Sequence, residues 1–197
     1  LPFVLREWTS RGLQSNPGCL SKKTNRSLGK KKLRLGLVWS AGKHKAPQPE
    51  RSARIRDIPF SLLWDLVINW KTKFELELLS LQLTGNDEIS IKEKIDSREL
   101  LQPLNSPDWL KTATILESLD LLISVDTSVA HLAGALGVPC LLMLSCPSDW
   151  RWGGAGNQTL IYKSFLICRC NKPENWDEAL KQANIMGPKL LTELLQS

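Results

Sequence analysis

The stretch that decides the fold is residues 120–139, which read Asp-Leu-Leu-Ile-Ser-Val-Asp-Thr-Ser-Val-Ala-His-Leu-Ala-Gly-Ala-Leu-Gly-Val-Pro. It opens with a short apolar run that is typical of a strand buried on both faces of a sheet. Thr127 is a suitable N-cap for a following helix, Gly137 suits the position after its last turn, and Pro139 prevents its continuation. The first turn of such a helix presents backbone N–H groups and the positive end of its dipole, which together favour a phosphate.

The segments on either side repeat this alternation of strand and helix. Asp57 and Ser106 are predicted to cap two of the helices, and a brief sixth strand fits near residues 100–101. Main strands are predicted at 33–39, 74–82, 121–125, 140–144 and 159–167, and the closing helices at 176–185 and 188–195. This pattern predicts an α/β fold, a Rossmann-like parallel sheet of five or six strands flanked by helices. Right-handed crossovers then place the carboxyl ends of all strands at one edge.

Charge divides the chain into two parts. The net charge is +6, but residues 8–49 contain ten Lys or Arg and no Asp or Glu, which leaves 16 basic and 20 acidic residues elsewhere. We therefore predict a basic flexible linker or tail at 1–32 and one folded domain at 33–197. A non-catalytic module that binds nucleic acid or another acidic partner through this tail is the alternative function. Few aromatic residues lie among the basic ones, which disfavours binding of single-stranded nucleic acid.

Several classes of protein are disfavoured by composition. No apolar run approaches the roughly 20 residues of a membrane span, and the first residues do not form a signal peptide. The five cysteines are odd in number, so reduced thiols and a cytoplasmic location are predicted. His44 and His131 are the only histidines, which disfavours a histidine-based metal site. The chain begins at Leu1 rather than at methionine, which we interpret as a sign of a fragment or a processed chain.

Residues 125–137, VDTSVAHLAGALG, resemble the VDT-x-x-x-HLAGALG segment of the heptosyltransferase family (glycosyltransferase family 9) and of related glycosyltransferases linked to tetratricopeptide repeats. Three further stretches resemble the same enzymes: residues 36–42 with their GLVWS-x-G, 80–82 with SLQ, and 147–152 with P-x-DWRW. The resemblance covers roughly residues 33–182. It implies the carboxyl-terminal half of a two-domain GT-B fold, in which this segment holds the diphosphate of a nucleotide-sugar donor.

The resemblance and the sheet topology together predict a donor site at the carboxyl ends of the strands. The backbone N–H groups of residues 127–130 are expected to bind the diphosphate, and hydroxyl and cationic side chains to neutralise its charge. The amide of Gln82 and the loop at 150–152 are expected to contact the base and ribose. The candidate donor-binding residues are Ser40, Arg56, Gln82, Asp126, Thr127, Ser128, His131, Trp150 and Arg151. Several of them have a simpler structural alternative: a helix cap for Thr127, a brace of the turn for Asp126, a satisfied surface residue for His131 and loop packing for Trp150.

The expected enzyme lacks an essential part in this chain. In GT-B enzymes the acceptor site, and usually the catalytic base, lie on an amino-terminal domain, which residues 1–32 are too short to form. The expected partner is thus an acceptor domain missing from this chain, and the donor is a nucleotide sugar, with no metal or other cofactor expected. The chain is a fragment, acts with another polypeptide, or only binds.

Overall fold

A computed structural model of the chain describes residues 32–41, 56–82, 89–104 and 108–196. Nearly all of the predicted basic tail therefore lies outside the described residues. The elements are β1 (Leu33–Val38), α1 (Phe60–Lys71), β2 (Leu76–Ser80), α2 (Ile89–Asp96), α3 (Trp109–Glu117), β3 (Leu121–Val125), α4 (Ser128–Leu136), β4 (Cys140–Leu144), a 3₁₀ turn (Trp150–Trp152), β5 (Phe165–Arg169) and α5 (Asp177–Gln196). Within these ranges, no helix is both long and apolar enough to cross a lipid bilayer.

The strands form one parallel sheet in the order β2-β1-β3-β4-β5, which confirms the predicted α/β, Rossmann-like fold. The predicted sixth strand is reduced to one parallel bridge between Leu101 and Leu79. Strand order reverses between β1 and β3, because β2 lies outside β1 while β4 and β5 follow β3 on the other side. In open α/β sheets, ligands bind outside the carboxyl ends of the strands at such a reversal. We call these ends the carboxyl edge and this place the switch point.

Helices cover the sheet on both faces. The core on one face includes α1 and α5, and the core on the other includes α3 and α4. All five residues of β3 are buried, with Ile123 packed in the first core and Leu122 in the second. Burial on both faces is the reason that this strand is almost continuously apolar in sequence.

The helix after β3 begins and ends where the sequence predicts. Thr127 is its N-cap, and the Thr127 hydroxyl accepts a hydrogen bond from the Ala130 N–H at 3.2 Å. Gly137 follows the last turn with φ of 74°, a left-handed conformation that glycine adopts at low cost. Ala133 and Leu136 pack this helix against the sheet.

Two other predicted helix starts are wrong in detail. Pro59, not Asp57, precedes the first residue of α1, and it makes no side-chain cap. The Asp57 carboxylate instead accepts hydrogen bonds from the Ser40 hydroxyl at 2.9 Å and the Ala41 N–H at 2.7 Å. These bonds direct the Asp57 carboxylate to the loop after β1 rather than to the first turn of α1. The N-cap of α3 is Asp108, two residues after the predicted Ser106, which lies outside the described residues.

The carboxyl-terminal region also differs from expectation. The last strand lies at Phe165–Arg169 rather than at 159–167, because Tyr162 packs its ring on α4 at Gly134 instead of entering the sheet. The two predicted closing helices are a single helix, α5, which contains Pro188. Proline removes one backbone donor from a helix. Burial of α5 along α1, where Gly187 lies against the Trp70 ring, outweighs that loss.

We predict that Gly187→Ala destabilises the protein by about 1–3 kcal/mol, the usual cost of overpacking a core. An added Cβ would overlap the ring of Trp70, which is almost fully buried. The predicted loss is net of the roughly 1 kcal/mol that alanine gains over glycine within a helix. Urea unfolding measures the change, and Ile185→Ala, at a position 73% exposed on the same helix, serves as the control. Equal or greater stability of Gly187→Ala would contradict this packing.

Candidate functional site

The loop at the carboxyl end of β1 is held by the side-chain amide of Gln82. Gln82, which follows β2, accepts hydrogen bonds from the N–H groups of Trp39 at 3.2 Å and Ser40 at 3.0 Å, and donates to the Ser40 carbonyl at 3.2 Å. Its side chain is buried between β2 and the loop. The structure therefore shows Gln82 bracing the loop that carries Ser40, while its predicted contact with a nucleotide stays a prediction.

The turn after β3 places a buried carboxylate at the switch point. Asp126 is only 4% exposed. Its Oδ2 lies 3.7 Å from Nη1 of Arg56, and its Oδ1 lies 3.9 Å from Nε2 of His131. Both distances exceed hydrogen-bond length, and Oδ2 has no hydrogen-bond partner among the described residues. Asp126 is thus attracted by two nearby nitrogen groups while one oxygen remains able to accept a hydrogen bond.

His131 lies one turn into α4 within an aromatic cluster. Its ring stacks on Trp152 with centroids 5.0 Å apart and planes inclined by 18°. Its Nδ1 is 3.0 Å from the Tyr162 hydroxyl. Its Nε2 is buried and, in the described part of the chain, has no hydrogen-bond partner. The nearby Asp126 carboxylate favours the tautomer with the proton on Nε2, so that Nδ1 accepts from Tyr162.

The protonation of His131 depends on burial and on three charged neighbours. Burial is the largest effect, and it lowers the pKa of His131 below the ordinary value of 6.5. The carboxylate of Asp126 opposes this lowering, Arg151 adds to it, and Asp149 opposes it. The net direction is downward, so His131 is neutral at pH 7.

The N-terminus of α4 faces the same turn. The Thr127 hydroxyl lies 3.1 Å from the Ser124 hydroxyl, which donates a hydrogen bond to the Val125 carbonyl at 2.7 Å. The N–H groups of Ser128 and Val129 fall in the first turn, where helix geometry provides no carbonyl partner within the helix. The turn is therefore held by the buried Ser124 hydroxyl and the half-buried Thr127 hydroxyl, and it presents backbone donors at its open end.

The segment that follows β4, residues 146–157, supplies the next wall, and we call it the tryptophan loop. Trp150 is 73% exposed, whereas Trp152 is buried beneath His131. The Arg151 guanidinium is paired with the Asp149 carboxylate through contacts of 3.0 and 3.2 Å. The exposed indole of Trp150 is therefore the accessible aromatic surface of this loop, and part of the charge of Arg151 is already neutralised.

Sequence reasoning missed two residues that organise this site. Tyr162, the only tyrosine in the chain, contacts His131, and Arg169 at the end of β5 holds the tryptophan loop. A signal for Tyr162 existed, since Gly134 in the middle of a predicted helix indicates the close approach of a neighbour. Arg169 offered no local signal, because its partners come from a distant loop.

Comparison with known proteins adds no identification. The chain matches no protein-family model and no curated protein at a significant level. Among the described residues, no group of three or more His, Cys, Asp or Glu side chains is placed to hold a metal ion.

We predict that the free energy of unfolding falls as pH decreases from 7 to 5, in part because of His131. Its lowered pKa means that the unfolded chain binds a proton at higher pH than the folded chain does. The stabilisation is complete above about pH 6.5, the ordinary pKa of histidine, and is lost as pH falls toward the folded value.

Urea unfolding at a series of pH values tests this, with His131→Gln expected to reduce the slope of stability against pH. The exposed Thr114→Ala on α3 changes no titratable group, so it serves as the control and is expected to keep the wild-type slope. An unchanged slope in His131→Gln would show that His131 does not titrate differently in the folded state.

Proposed function

We propose that this chain is the donor-binding half of a GT-B glycosyltransferase, which binds a nucleotide sugar at the switch point for glycosyl transfer. One observation carries the proposal. Arg56 precedes α1, whereas Asp126, Thr127 and His131 follow β3 in one short stretch, and the two segments meet where strand order reverses, around the N-terminus of α4. A parallel sheet binds ligands at this position.

The phosphate groups of the donor are assigned to the first turn of α4. Backbone N–H groups of Ser128 and Val129 and the helix dipole attract negative charge there. The guanidinium of Arg56, 3.7 Å from the carboxylate of Asp126, adds a cation beside the same turn. In glycosyl transfer the diphosphate leaves with increased charge, so these groups stabilise the transition state more than the ground state.

The remaining groups suit the rest of a nucleotide sugar. The Oδ2 of Asp126 accepts no hydrogen bond from the described residues, and leaving a buried acceptor in that state is costly. A ribose or sugar hydroxyl can donate this bond. The exposed indole of Trp150 offers a stacking surface for a base. The proposal covers binding of the donor; in the GT-B enzymes that the sequence resembles, the acceptor site lies on a second domain.

The direct test is isothermal titration with uridine, adenosine, guanosine, cytidine and thymidine diphosphates and the corresponding nucleotide sugars. We expect at least one to bind in the micromolar to millimolar range. A folded chain that binds none of them at millimolar concentration would remove the proposal. The alternative, a module that binds acidic partners through its basic tail, instead predicts binding that falls steeply with salt and disappears when residues 1–32 are deleted.

Thr127→Ala separates the structural and the binding role of α4's first turn. Loss of the cap is expected to cost about 1 kcal/mol of stability. If the hydroxyl also contacts a phosphate, binding of a nucleoside diphosphate weakens by a further ~1–2 kcal/mol, the scale of a charge-assisted hydrogen bond. Thermal unfolding and nucleotide titration measure both effects, with the exposed Thr114→Ala on α3 as the control. Wild-type affinity in Thr127→Ala would reduce Thr127 to a cap.

Asp126→Asn tests the role of the buried carboxylate. A carboxylate close to a diphosphate repels it, so we expect affinity for the bare nucleoside diphosphate to stay equal or improve. Affinity for the complete nucleotide sugar should improve less or fall, because the amide cannot reproduce two acceptor oxygens. The measurement is paired titration with the diphosphate and its sugar derivative. Equal changes for both ligands would contradict a contact between Asp126 and a hydroxyl of the transferred sugar.

A further inference from the structure

Arg169, the last residue of β5, is bonded to the tryptophan loop at three points. Its Nε donates to the Gly156 carbonyl at 2.8 Å, Nη1 to the Ser148 hydroxyl at 3.4 Å, and Nη2 to the Trp152 carbonyl at 2.5 Å. These acceptors lie near the start, middle and end of the loop. A single planar group therefore fixes the path of the whole loop over the carboxyl edge.

The backbone of Arg169 is held by the side chain of Gln182 on α5. Gln182 on α5 accepts a hydrogen bond from the Arg169 N–H at 2.9 Å and donates to its carbonyl at 3.5 Å. Gln182 also donates to Glu178 one turn earlier, at 3.2 Å. The guanidinium thus projects from a position fixed both by the sheet and by α5, which makes it a rigid support for the loop.

The three acceptors of Arg169 are neutral oxygens, so they leave the positive charge of the guanidinium intact. Burial lowers the pKa of Arg169, yet arginine stays protonated in proteins. The fork geometry of arginine suits this position, since it directs several N–H groups along fixed directions within one plane. A lysine keeps the charge but lacks that fork, which allows the two contributions to be separated by experiment.

The loop that Arg169 holds contains two indoles of the candidate site, the exposed one of Trp150 and the buried one of Trp152. Trp152, whose carbonyl it binds, stacks on His131 at 5.0 Å and on Phe165 at 6.1 Å. Trp150 lies between the two fixed points at Ser148 and Trp152. A shift of this loop therefore moves the exposed indole and the support of the His131 ring together.

We propose that Arg169 is a positioning residue of the donor site: through its fork of hydrogen bonds it holds the tryptophan loop in the conformation that binds the nucleoside diphosphate. The inference rests on the proposed function. It adds a residue that touches no ligand and acts through Trp150 and Trp152. The inference predicts that a variant without the planar guanidinium binds the nucleoside diphosphate more weakly, even when it keeps the positive charge.

The experiment compares Arg169→Lys and Arg169→Gln with wild type, and uses the exposed Lys189→Gln on α5 as a control that also removes one positive charge. Hydrogen exchange measures the protection of residues 146–157 without ligand. Titration with pyrophosphate, and with the tightest nucleoside diphosphate, measures affinity. Fluorine NMR of 5-fluorotryptophan protein, with signals assigned by Trp150→Phe and Trp152→Phe, reports the environment of each indole.

We expect both Arg169 variants to lose protection in the tryptophan loop, to shift the Trp150 and Trp152 signals, and to bind the nucleoside diphosphate at least ~10-fold more weakly, which is the scale of a charge-assisted bond. Lys189→Gln should match wild type. If Arg169 variants do not fold, Ser148→Ala removes one of the three acceptors and should weaken binding about 3-fold, with a smaller loss of protection.

Two results would overturn the inference while nucleotide binding stands. One is wild-type affinity in Arg169→Lys together with weak binding in Arg169→Gln, which would assign the effect to charge alone. The other is wild-type protection and indole signals in both variants, or wild-type behaviour in Ser148→Ala when these do not fold. If wild type itself binds no nucleotide or pyrophosphate, the proposed function fails, and this inference fails with it.

Discussion

A pair of hydroxyl groups at the end of β3 holds the turn on which the candidate site depends. Ser124 is fully buried, and its hydroxyl bonds the Val125 carbonyl and lies 3.1 Å from the hydroxyl of Thr127. Thr127 in turn accepts from the Ala130 N–H and starts α4. Unsatisfied polar groups are costly in a buried strand, so these bonds both permit Ser124 in the core and fix where α4 begins.

A buried carboxylate lies beside the proposed phosphate site, although two negatively charged groups repel each other. Asp126 is flanked by Arg56 and by neutral His131, so its charge is only partly balanced within the described residues. A purely anionic ligand gains little from such a group. A ligand that carries hydroxyl groups beside its phosphates gains a good acceptor as well as the helix donors, and a nucleotide sugar has both.

The sequence predicted those features that arise from neighbouring residues. The strand, cap and terminal glycine of residues 120–139 are local signals, and the structure confirms each of them. Gln82 was predicted to contact the nucleotide and Asp57 to cap a helix, but the hydrogen bonds of both reach the β1 loop, and only the fold reveals that. Tyr162 and Arg169 were missed for the same reason, since their roles depend on α4 and on the tryptophan loop. The break predicted before Pro188 was wrong, because helix propensity accounts for the backbone hydrogen bond that proline removes but not for the packing of α5 against α1.

The position of the site at the carboxyl edge of the sheet determines the side from which a second substrate can reach it. Ser40, Thr127 and Trp150 follow three different strands, and all three strands end at the carboxyl edge of a parallel sheet. Helices cover both faces of that sheet, so neither face is open to a ligand held at the turn after β3. If the chain acts as a glycosyltransferase, its acceptor must therefore approach from beyond the carboxyl edge. The acceptor domain then lies opposite α4's first turn and the exposed indole of Trp150, and the sugar is transferred in the space between them.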